Sequence, residues 1–274
     1  MGINTQKSVS FFVNCFERDY RKVLSPGFIK AKALQFRYPF IRRVVTINNV
    51  KNRQDALTLA QAAIKRGEID LYLEVEKELP AALTQCGLSI DKLHLIRHYI
   101  DFALVAVVAA QDGYLLYCAP EVDLLQPFDW ISPALHKLNG NPDFLVANPT
   151  WASDLPGAAR ESLHRDGIHF VGYGFSDQCF LIDAARLAKP VYGFVHPAGV
   201  RYPMSDLGDI FEKRIDAYMR CTGLLRLTDP RAFYIHEGPE GMSYPKKPFI
   251  LSIKNRLRSS LKRHLKMFGG NVNQ

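Results

Sequence analysis

Short apolar runs alternate with amphipathic stretches along the first half of the chain. Runs rich in β-branched and aromatic residues predict buried strands, because such side chains pack well on a sheet that is covered on both faces. A stretch that begins at Arg53 is amphipathic and stops at Gly67, which predicts a helix. The strands predicted in this half lie at residues 9–13, 40–47, 71–75 and 114–118.

The second half of the chain continues the same alternation. Residues 144–147, 169–173 and 232–235 are short strand candidates, and residues 207–220 predict a further helix. Alternating strands and helices are typical of a mostly parallel sheet with helices on both faces, so we predict a Rossmann-like α/β fold. Pro-Lys-Lys-Pro at 245–248 is the first linker signal, which predicts one domain over residues 1–244 and a tail over residues 245–274.

Polar side chains follow several of the predicted strands, where each strand ends. They are Asn14 and Glu17 after the first strand, Asn48 and Asn49 after the second, and Glu121 and Asp123 after the fourth. In open α/β sheets, ligands bind outside the carboxyl ends of the strands, so we expect these side chains to share one edge. Carboxylates at the end of a buried strand are costly to desolvate without a positive partner, which favours a metal ion that carries a nucleotide diphosphate. A solvated turn is the alternative interpretation of the two acids.

The charge of the chain is distributed unevenly. The net charge is +8, and after Tyr244 there are eight cations and no acid, so the 27 acids of the body face an equal number of cations. A nucleic-acid groove needs a basic surface on the main domain. We therefore expect no nucleic-acid partner.

The basic tail is also amphipathic. Its apolar residues recur at steps of three and four, which places them on one stripe of a helix with Lys and Arg on the other face. Such a helix lies in a membrane interface, where anionic lipid attracts its cations; a docking helix for a partner or a nucleic-acid arm is the alternative. The stripe consists of Ile250, Ile253, Leu257, Leu261, Leu265 and Phe268.

The cysteines and the longest apolar run bear on the cellular compartment of the protein. Five cysteines, widely spaced and without a CxxC pair, argue against a disulfide framework and a structural zinc site, and they predict reduced thiols in the cytosol. The longest apolar run, residues 102–110, is too short to cross a bilayer. Together with the tail, these features predict a cytoplasmic protein on the inner face of the cell membrane.

The order of four motifs resembles that of the GT-A glycosyltransferases, and most of all the inverting glycosyltransferase family 2. The motifs are VSFFVNCFER, VVTINNV, DGYLLYCAPEVDLL and YGFSDQCFLI, and the resemblance covers residues 8–240. It implies a GT-A fold and an enzyme that moves a sugar from a nucleotide-diphosphate sugar to an acceptor, with Mn²⁺ or Mg²⁺ as cofactor. With the predicted tail, it implies a lipid-linked or polysaccharide acceptor in the synthesis of a bacterial-type surface glycan. Because an Asp-Gln pair also occurs in retaining enzymes, the stereochemistry stays open.

The resemblance implies a metal site with two possible registers. If the strand sets the register, Ala119-Pro120-Glu121 lies where the family has Asp-x-Asp, and the first acid is missing. If Glu121-Val122-Asp123 is the motif, both acids are present but displaced by two residues. His236 resembles the third metal ligand of many GT-A enzymes, although a lone histidine at a strand end is often only structural. Carboxylates of this kind hold a cation against the diphosphate oxygens.

The remaining implied roles concern the base, the nucleotide and the acceptor. Asp177 resembles the catalytic base that accepts the acceptor's proton during inverting transfer, with a helix N-cap as the alternative. Arg201 is expected to grip a phosphate or an acidic acceptor sugar, and Trp151 offers a surface on which a sugar ring stacks. The residues expected around the nucleotide are Asn14, Glu17, Asn48 and Asn49.

Two other classes of function remain open on the sequence. A nucleotidyltransferase shares the alternating sheet and the metal-binding acids, but it should carry a Gly-rich basic loop after its first strand, where this chain has only the distant Gly27. A degenerate GT-A domain that scaffolds a polysaccharide assembly complex is suggested by Ala119, which replaces the expected first acid.

Overall fold

The computed structural model of the protein describes residues 8–152, 155–203, 205 and 207–236. These residues belong to one compact unit, Met1–Gly238. The tail and its predicted amphipathic helix lie outside the described residues, so the boundary at residue 244 stays a prediction. None of the described helices is both long enough and apolar enough to cross a bilayer.

Four parallel strands form the first half of the sheet and confirm the four strands predicted there. Their spatial order is β3-β2-β1-β4, and every residue of β1 and β4 is buried. This burial on both faces explains why their sequences are continuous apolar runs. The strands are β1 (Val9–Cys15), β2 (Arg42–Ile47), β3 (Leu71–Glu74) and β4 (Tyr114–Cys118).

The second half of the sheet contains both parallel and antiparallel strands. Beyond β4 the order continues β9-β6-β10-β8-β7, with β5 paired to β10 outside this path. Seven of the ten described strands point the same way, which confirms the predicted mostly parallel sheet, and β5, β8 and β9 run against them. The strands are β5 (Val122–Leu124), β6 (Phe144–Trp151), β7 (Ser162–Asp166), β8 (His169–Gly172), β9 (Cys179–Asp183) and β10 (Leu225–His236).

Helices connect the strands and cover the sheet. The predicted helix at Arg53 begins there, after Asn52 caps it by accepting a hydrogen bond from the Asp55 amide at 3.3 Å. The apolar run at residues 102–110 is an almost wholly buried helix, and the helix expected from residue 207 begins at Phe211 instead. The helices are α1 (Tyr20–Val23), α2 (Phe28–Leu34), α3 (Arg53–Lys65), α4 (Val75–Gln85), α5 (Asp101–Ala109), α6 (Ile131–Gly140), α7 (Leu155–Arg160) and α8 (Phe211–Thr222), with a 3-10 segment at Ile90–Tyr99.

A line of aromatic rings ties the central strands to their helices. Phe102 of α5, Tyr117 of β4, Phe180 of β9 and Phe211 of α8 follow one another, with ring centroids 5.2, 5.4 and 5.9 Å apart. Aromatic pairs at such separations add stability beyond the apolar area that they bury. The carboxyl end of β4 and the beginning of β9 are therefore held together rigidly.

β10 is long because it pairs with different neighbours along its length. Its first part pairs with β6 and β8, the register shifts between Asp229 and Phe233, and its last part pairs with β6 and antiparallel β5. The Thr150 hydroxyl donates a 2.9 Å hydrogen bond to the Asp229 carbonyl at this irregularity. A bulge of this kind redirects the strand, and here it brings His236 opposite Val122.

Candidate active site

Glu121 and His236 come together at the carboxyl edge of the sheet. The pairing of β5 with β10 places His236 Nε2 3.3 Å from Glu121 Oε1, and both side chains are mostly buried. Burial opposes ionisation of Glu121, but the hydrogen bond from His236 and the charge of Lys32 hold its pKa below the usual value. Glu121 is therefore an anion with one histidine partner, as a metal-binding carboxylate needs to be.

Asp123 has a different environment from Glu121. Its Oδ1 accepts hydrogen bonds from Lys32 Nζ at 2.7 Å and from Gln35 Nε2 at 2.6 Å. Lys32 is buried and also donates to the Val122 carbonyl, so the pair fastens α2 to β5. These contacts give Asp123 a structural role, and they favour the register in which Glu121 is the metal-binding acid and Ala119 replaces its partner.

Asp177 is paired with a second carboxylate. The Asp177 amide donates to Glu212 Oε1 at 3.0 Å, and the two side chains, both partly buried, also contact each other. Desolvation and repulsion by Glu212 raise the pKa of Asp177 well above its usual value, and desolvation raises the pKa of Glu212 to about 7. The pair retains a proton at neutral pH, because two carboxylates in contact do not both ionise easily.

Two further groups extend this acidic neighbourhood. Desolvation, together with the charge of Glu121, raises the pKa of Asp19 in the loop after β1 to about 6. Desolvation also raises the pKa of Tyr117 well above its usual value, and the charges of Glu121, Asp177 and Asp19 act in the same direction. Tyr117 therefore lies among carboxylates that come from β1, β4 and the loop before β9.

The ends of β1 and β2 form a separate buried polar cluster. Asn14 accepts a 2.8 Å hydrogen bond from Thr46, and Asn48 donates one of 2.8 Å to Asp101, which also contacts His98 at 3.1 Å. Asn14 Nδ2 and Asn48 Oδ1 are buried without a partner among the described residues. Most buried amide atoms are hydrogen-bonded, so these two are unsatisfied polar atoms at the ends of β1 and β2.

The other residues expected around the nucleotide differ in accessibility. Glu17 Oε2 accepts the Lys51 amide at 2.7 Å and so closes the loop after β2. Asn49 is exposed in a left-handed conformation with φ of 50°. Asp101, the partner of Asn48, also lines a cavity of about 460 Å³ between α4 and the 3-10 segment, together with Val75, Leu79, Pro80, Leu83, Ile90, Glu76 and Arg97.

Arg201 forms an ion pair with a neighbouring acid. Arg201 Nη1 donates to Glu161 at 2.9 Å, and Arg226 lies 3.5 Å from the other Glu161 oxygen. Both guanidinium groups crowd Gly174, where an added Cβ would lie 2.4 Å from Arg201 Nη2. The charges of the two arginines also act on Glu212, which places them in the neighbourhood of the carboxylate pair.

The exposed Trp151 ends β6 beside Tyr234 of β10. Its side chain is 48% exposed, so the ring is available for stacking rather than packed as a plug at the sheet edge. Tyr234 donates from its hydroxyl to Gln178 Oε1 at 3.0 Å, which connects this end of β10 to the loop that carries Asp177.

The residues present suit a cation held partly by a ligand. The described part of the chain contains no group of three or more His, Cys, Asp or Glu side chains that could hold a metal ion. Glu121 and His236 supply one oxygen and one nitrogen, a set that fits Mg²⁺ or Mn²⁺ when phosphate oxygens and water complete the coordination.

Three site residues were not expected from the sequence. Glu212 lies in the first turn of the helix that was predicted to start at residue 207. Asp19 follows the NCFER residues of the first motif, and Asp101 begins the helix that contains the apolar run at residues 102–110. Acids in the first turn of a helix are common for electrostatic reasons alone, so the sequence offered no signal that separated these from ordinary ones.

Comparisons with known proteins give structural but not sequence similarity. No protein-family model matches the chain, and a search of curated proteins finds no match. The chain is similar to GalNAc-T7, solved with UDP, GalNAc and Mn²⁺, with a TM-score of 0.47 and 11% identity over 92% of this chain and 48% of that one. It thus spans about half the length of GalNAc-T7.

Two further solved structures are similar over less of this chain. The galactosyltransferase LgtC, in complex with donor and acceptor sugar analogs, has a TM-score of 0.41 and 13% identity over 80% of this chain and 72% of that one. Glucosyl-3-phosphoglycerate synthase from Mycobacterium tuberculosis has a TM-score of 0.37 and 11% identity over 65% and 57%. The chemistry of this chain has to come from its own residues.

The carboxylate pair predicts how stability depends on pH. Because the pKa of Glu212 rises from 4.5 to about 7 on folding, the folded state binds more protons across this window and the free energy of unfolding falls as the pH rises through it. Glu212→Gln should flatten this fall, measured by urea unfolding between pH 5 and 8. The exposed control Glu78→Gln should keep the wild-type slope, and a Glu212→Gln slope equal to that of the control would contradict the shared proton.

Proposed function

We propose that the chain is a glycosyltransferase that moves a sugar from a nucleotide-diphosphate sugar to a glycan or lipid-linked acceptor. The observation that carries this proposal is the Glu121–His236 contact at 3.3 Å, in the same acidic neighbourhood as the Asp177–Glu212 pair. A metal-binding anion and a protonatable carboxylate pair at the carboxyl edge of a mostly parallel sheet supply what sugar transfer needs. The order of sequence motifs supports the same reaction.

Glu121 and His236 are the residues that would hold the cation. Mg²⁺ and Mn²⁺ are commonly bound through one or two protein ligands plus substrate phosphates, which suits a site without the first acid of Asp-x-Asp. When bound, the cation offsets the charge that develops on the diphosphate leaving group. Asp123 takes no part in this assignment, because Lys32 and Gln35 already engage its carboxylate.

Asp177 is the proposed base. It can accept the acceptor's proton only after the pair with Glu212 has lost its own, so the raised pKa values make the active form more abundant as the pH rises past neutrality. Partial burial leaves the pair reachable by an acceptor hydroxyl. One carboxylate acting on the acceptor corresponds to inverting transfer, in which the oxygen attacks opposite the diphosphate.

The nucleoside is proposed to lie over the ends of β1 and β2. The unpartnered atoms Asn14 Nδ2 and Asn48 Oδ1 support this position, because a nucleoside offers both acceptors and donors to satisfy them. The mostly apolar cavity beside Asp101 provides space for a flat ring. Arg201 is proposed to contact the acceptor rather than the donor, since it belongs to the neighbourhood of Glu212.

The scaffold alternative rests on the replaced first acid. Ala119 has no side-chain oxygen, and its amide is bonded to the Gln178 carbonyl at 2.7 Å, so the position cannot ligate a metal through its side chain. A domain that had lost catalysis could keep the rest of the fold unchanged. Metal-dependent binding of a donor separates the two functions, because a scaffold has no reason to retain it; a nucleotidyltransferase would bind a nucleoside triphosphate in preference to a nucleotide sugar.

Calorimetry with a panel of nucleoside diphosphates, with and without Mn²⁺, tests the metal assignment. The wild-type chain should bind one of them more tightly when Mn²⁺ is present, and Glu121→Gln should weaken that binding by roughly tenfold or more. Asp123→Asn is the matched control and should retain the metal effect. If Asp123→Asn lost it as well, the Glu121-Val122-Asp123 register would be correct. If Glu121→Gln kept it, Glu121 would not be a metal ligand in either register, and a wild-type chain without a metal effect would favour the scaffold.

Turnover, followed as nucleotide released from the donor, tests the base. Asp177→Asn should lower the rate by roughly 10²- to 10⁴-fold while leaving metal-dependent nucleotide binding intact. Glu212→Gln removes the neighbouring negative charge, which lowers the pKa of Asp177 and should move the rising limb of the pH–rate profile to lower pH. An unchanged profile, or an active Asp177→Asn, would contradict the assignment.

A lipid-linked acceptor and a position on the inner face of the membrane remain proposals from the tail. Its eight cations and apolar stripe support attachment to an anionic bilayer. A chain that ends at Tyr244 should therefore bind anionic vesicles more weakly than the full chain in a sedimentation assay. Equal binding by the two chains would remove the tail from the proposal and leave the sugar-transfer site untouched.

A further inference from the structure

One exposed surface of the main domain combines aliphatic side chains with cations. It is formed by α2 and the segment between α2 and β2, and we call it the α2 surface: Lys30, Leu34, Arg37 and Ile41. Leu34 is 63% exposed and Ile41 is 57% exposed. Exposed aliphatic side chains that border a groove and cations are typical of a surface that meets a partner or a membrane.

This region has many cations, and only some of them form ion pairs. From Tyr20 to Arg43 the chain has seven cations and no carboxylate. Lys32 is bound to Asp123 and Arg43 to Asp70. The charge of Lys30 acts on Glu68, which is already paired with Arg66, and Arg37 has no ion pair in the described ranges. Both side chains are exposed, so the α2 surface carries positive charge that faces solvent.

Arg37 occupies a backbone conformation that normally favours glycine. Its φ is 48°, in the left-handed region just after α2 ends. This conformation is unfavourable for a residue with a Cβ, and a glycine would adopt it more easily. The left-handed backbone at Arg37 ends α2 and is followed by the segment that leads to β2.

A shallow groove runs across the α2 surface. It has a volume of about 330 Å³, and Ala33, Leu34, Tyr38 and Phe40 line it together with the cations Lys30, Arg37 and Arg43. Apolar side chains bordered by cations match the layered chemistry of a bilayer interface, where acyl chains lie just below anionic headgroups.

The α2 surface belongs to a helix that adjoins the candidate active site, because Lys32 of α2 and the following Gln35 bind Asp123, and the charge of Lys32 acts on Glu121. The exposed side chains of Lys30, Leu34 and Arg37 are not among the groups that hydrogen-bond Glu121, Asn14 or Asn48. Changes at these exposed side chains therefore leave those hydrogen bonds in place.

We propose that the α2 surface binds the face of an anionic lipid bilayer. Charge excludes the chain's own tail, with eight cations and no acid, and it disfavours a second copy of the same basic surface. A nucleic-acid backbone would use the cations but has no use for protruding Leu34 and Ile41. The inference does not depend on the proposed enzymatic function.

Co-sedimentation of the full chain with vesicles tests this surface. Vesicles of phosphatidylcholine with one third phosphatidylglycerol should bind the wild-type chain, while pure phosphatidylcholine should bind it weakly. The double variant Lys30→Glu with Arg37→Glu should lower the partition coefficient of the protein onto the anionic vesicles roughly tenfold or more. The control is Arg165→Glu with Lys189→Glu, which changes the net charge by the same amount at exposed residues elsewhere on the domain.

The aliphatic contribution has its own matched pair of variants. Leu34→Ser with Ile41→Ser should weaken binding at high salt, where electrostatic attraction is screened, and Leu163→Ser with Val195→Ser should not. Thermal melts check that all variants fold. The proposal is overturned if the α2 variants bind vesicles as well as their controls do. It is also overturned if the chain is a dimer in solution and Leu34→Ser with Ile41→Ser dissociates that dimer, because the α2 surface would then be a contact between two copies.

Discussion

The fold depends on the antiparallel pairing of β9 with β4 on one side and β6 on the other. Among the described strands β9 alone joins the β3-β2-β1-β4 half of the sheet to the β6-β10-β8-β7 half. Its residues Phe180, Leu181 and Ile182 are fully buried, so the hydrophobic effect holds the two halves together at the centre of the domain. The same pairing fixes the candidate site, because the Ala119 amide bonds the Gln178 carbonyl and keeps the exit of β4 beside the loop that carries Asp177.

At the carboxyl edge of the sheet, one carboxylate has a cation bonded to it and others do not. Asp123 has a lysine and a glutamine on one oxygen and stabilises the joint between α2 and β5. Among the described residues, the Glu121 side chain is hydrogen-bonded to His236, and the Asp177 and Glu212 side chains contact each other. Burying a carboxylate without a cation bonded to it is costly, so this edge favours the approach of a positive charge.

At the neighbouring ends of β1 and β2, two side-chain amides are likewise only partly satisfied by hydrogen bonds. Asn14 and Asn48 each use one side-chain atom to hold the cluster together and leave the other buried without a partner among the described residues. Their orientation is fixed by the hydrogen bonds to Thr46 and Asp101. A preorganised polar group loses less conformational entropy on binding than a mobile one.

The sequence by itself determined the four strands of the first half, the mostly parallel sheet and the position of Glu121 after β4, because continuous apolar runs report burial directly. It did not reveal that Cys179–Asp183 is a strand, since the four apolar residues that follow Ser-Asp-Gln are equally consistent with the start of a helix. Only the tertiary structure shows that the two acids near β4 have different partners, because the lysine that pairs with Asp123 comes from 91 residues away. It also decided the partner of Asp177, since the contact with Glu212 joins a loop to a helix 35 residues later, and no local pattern records such a contact.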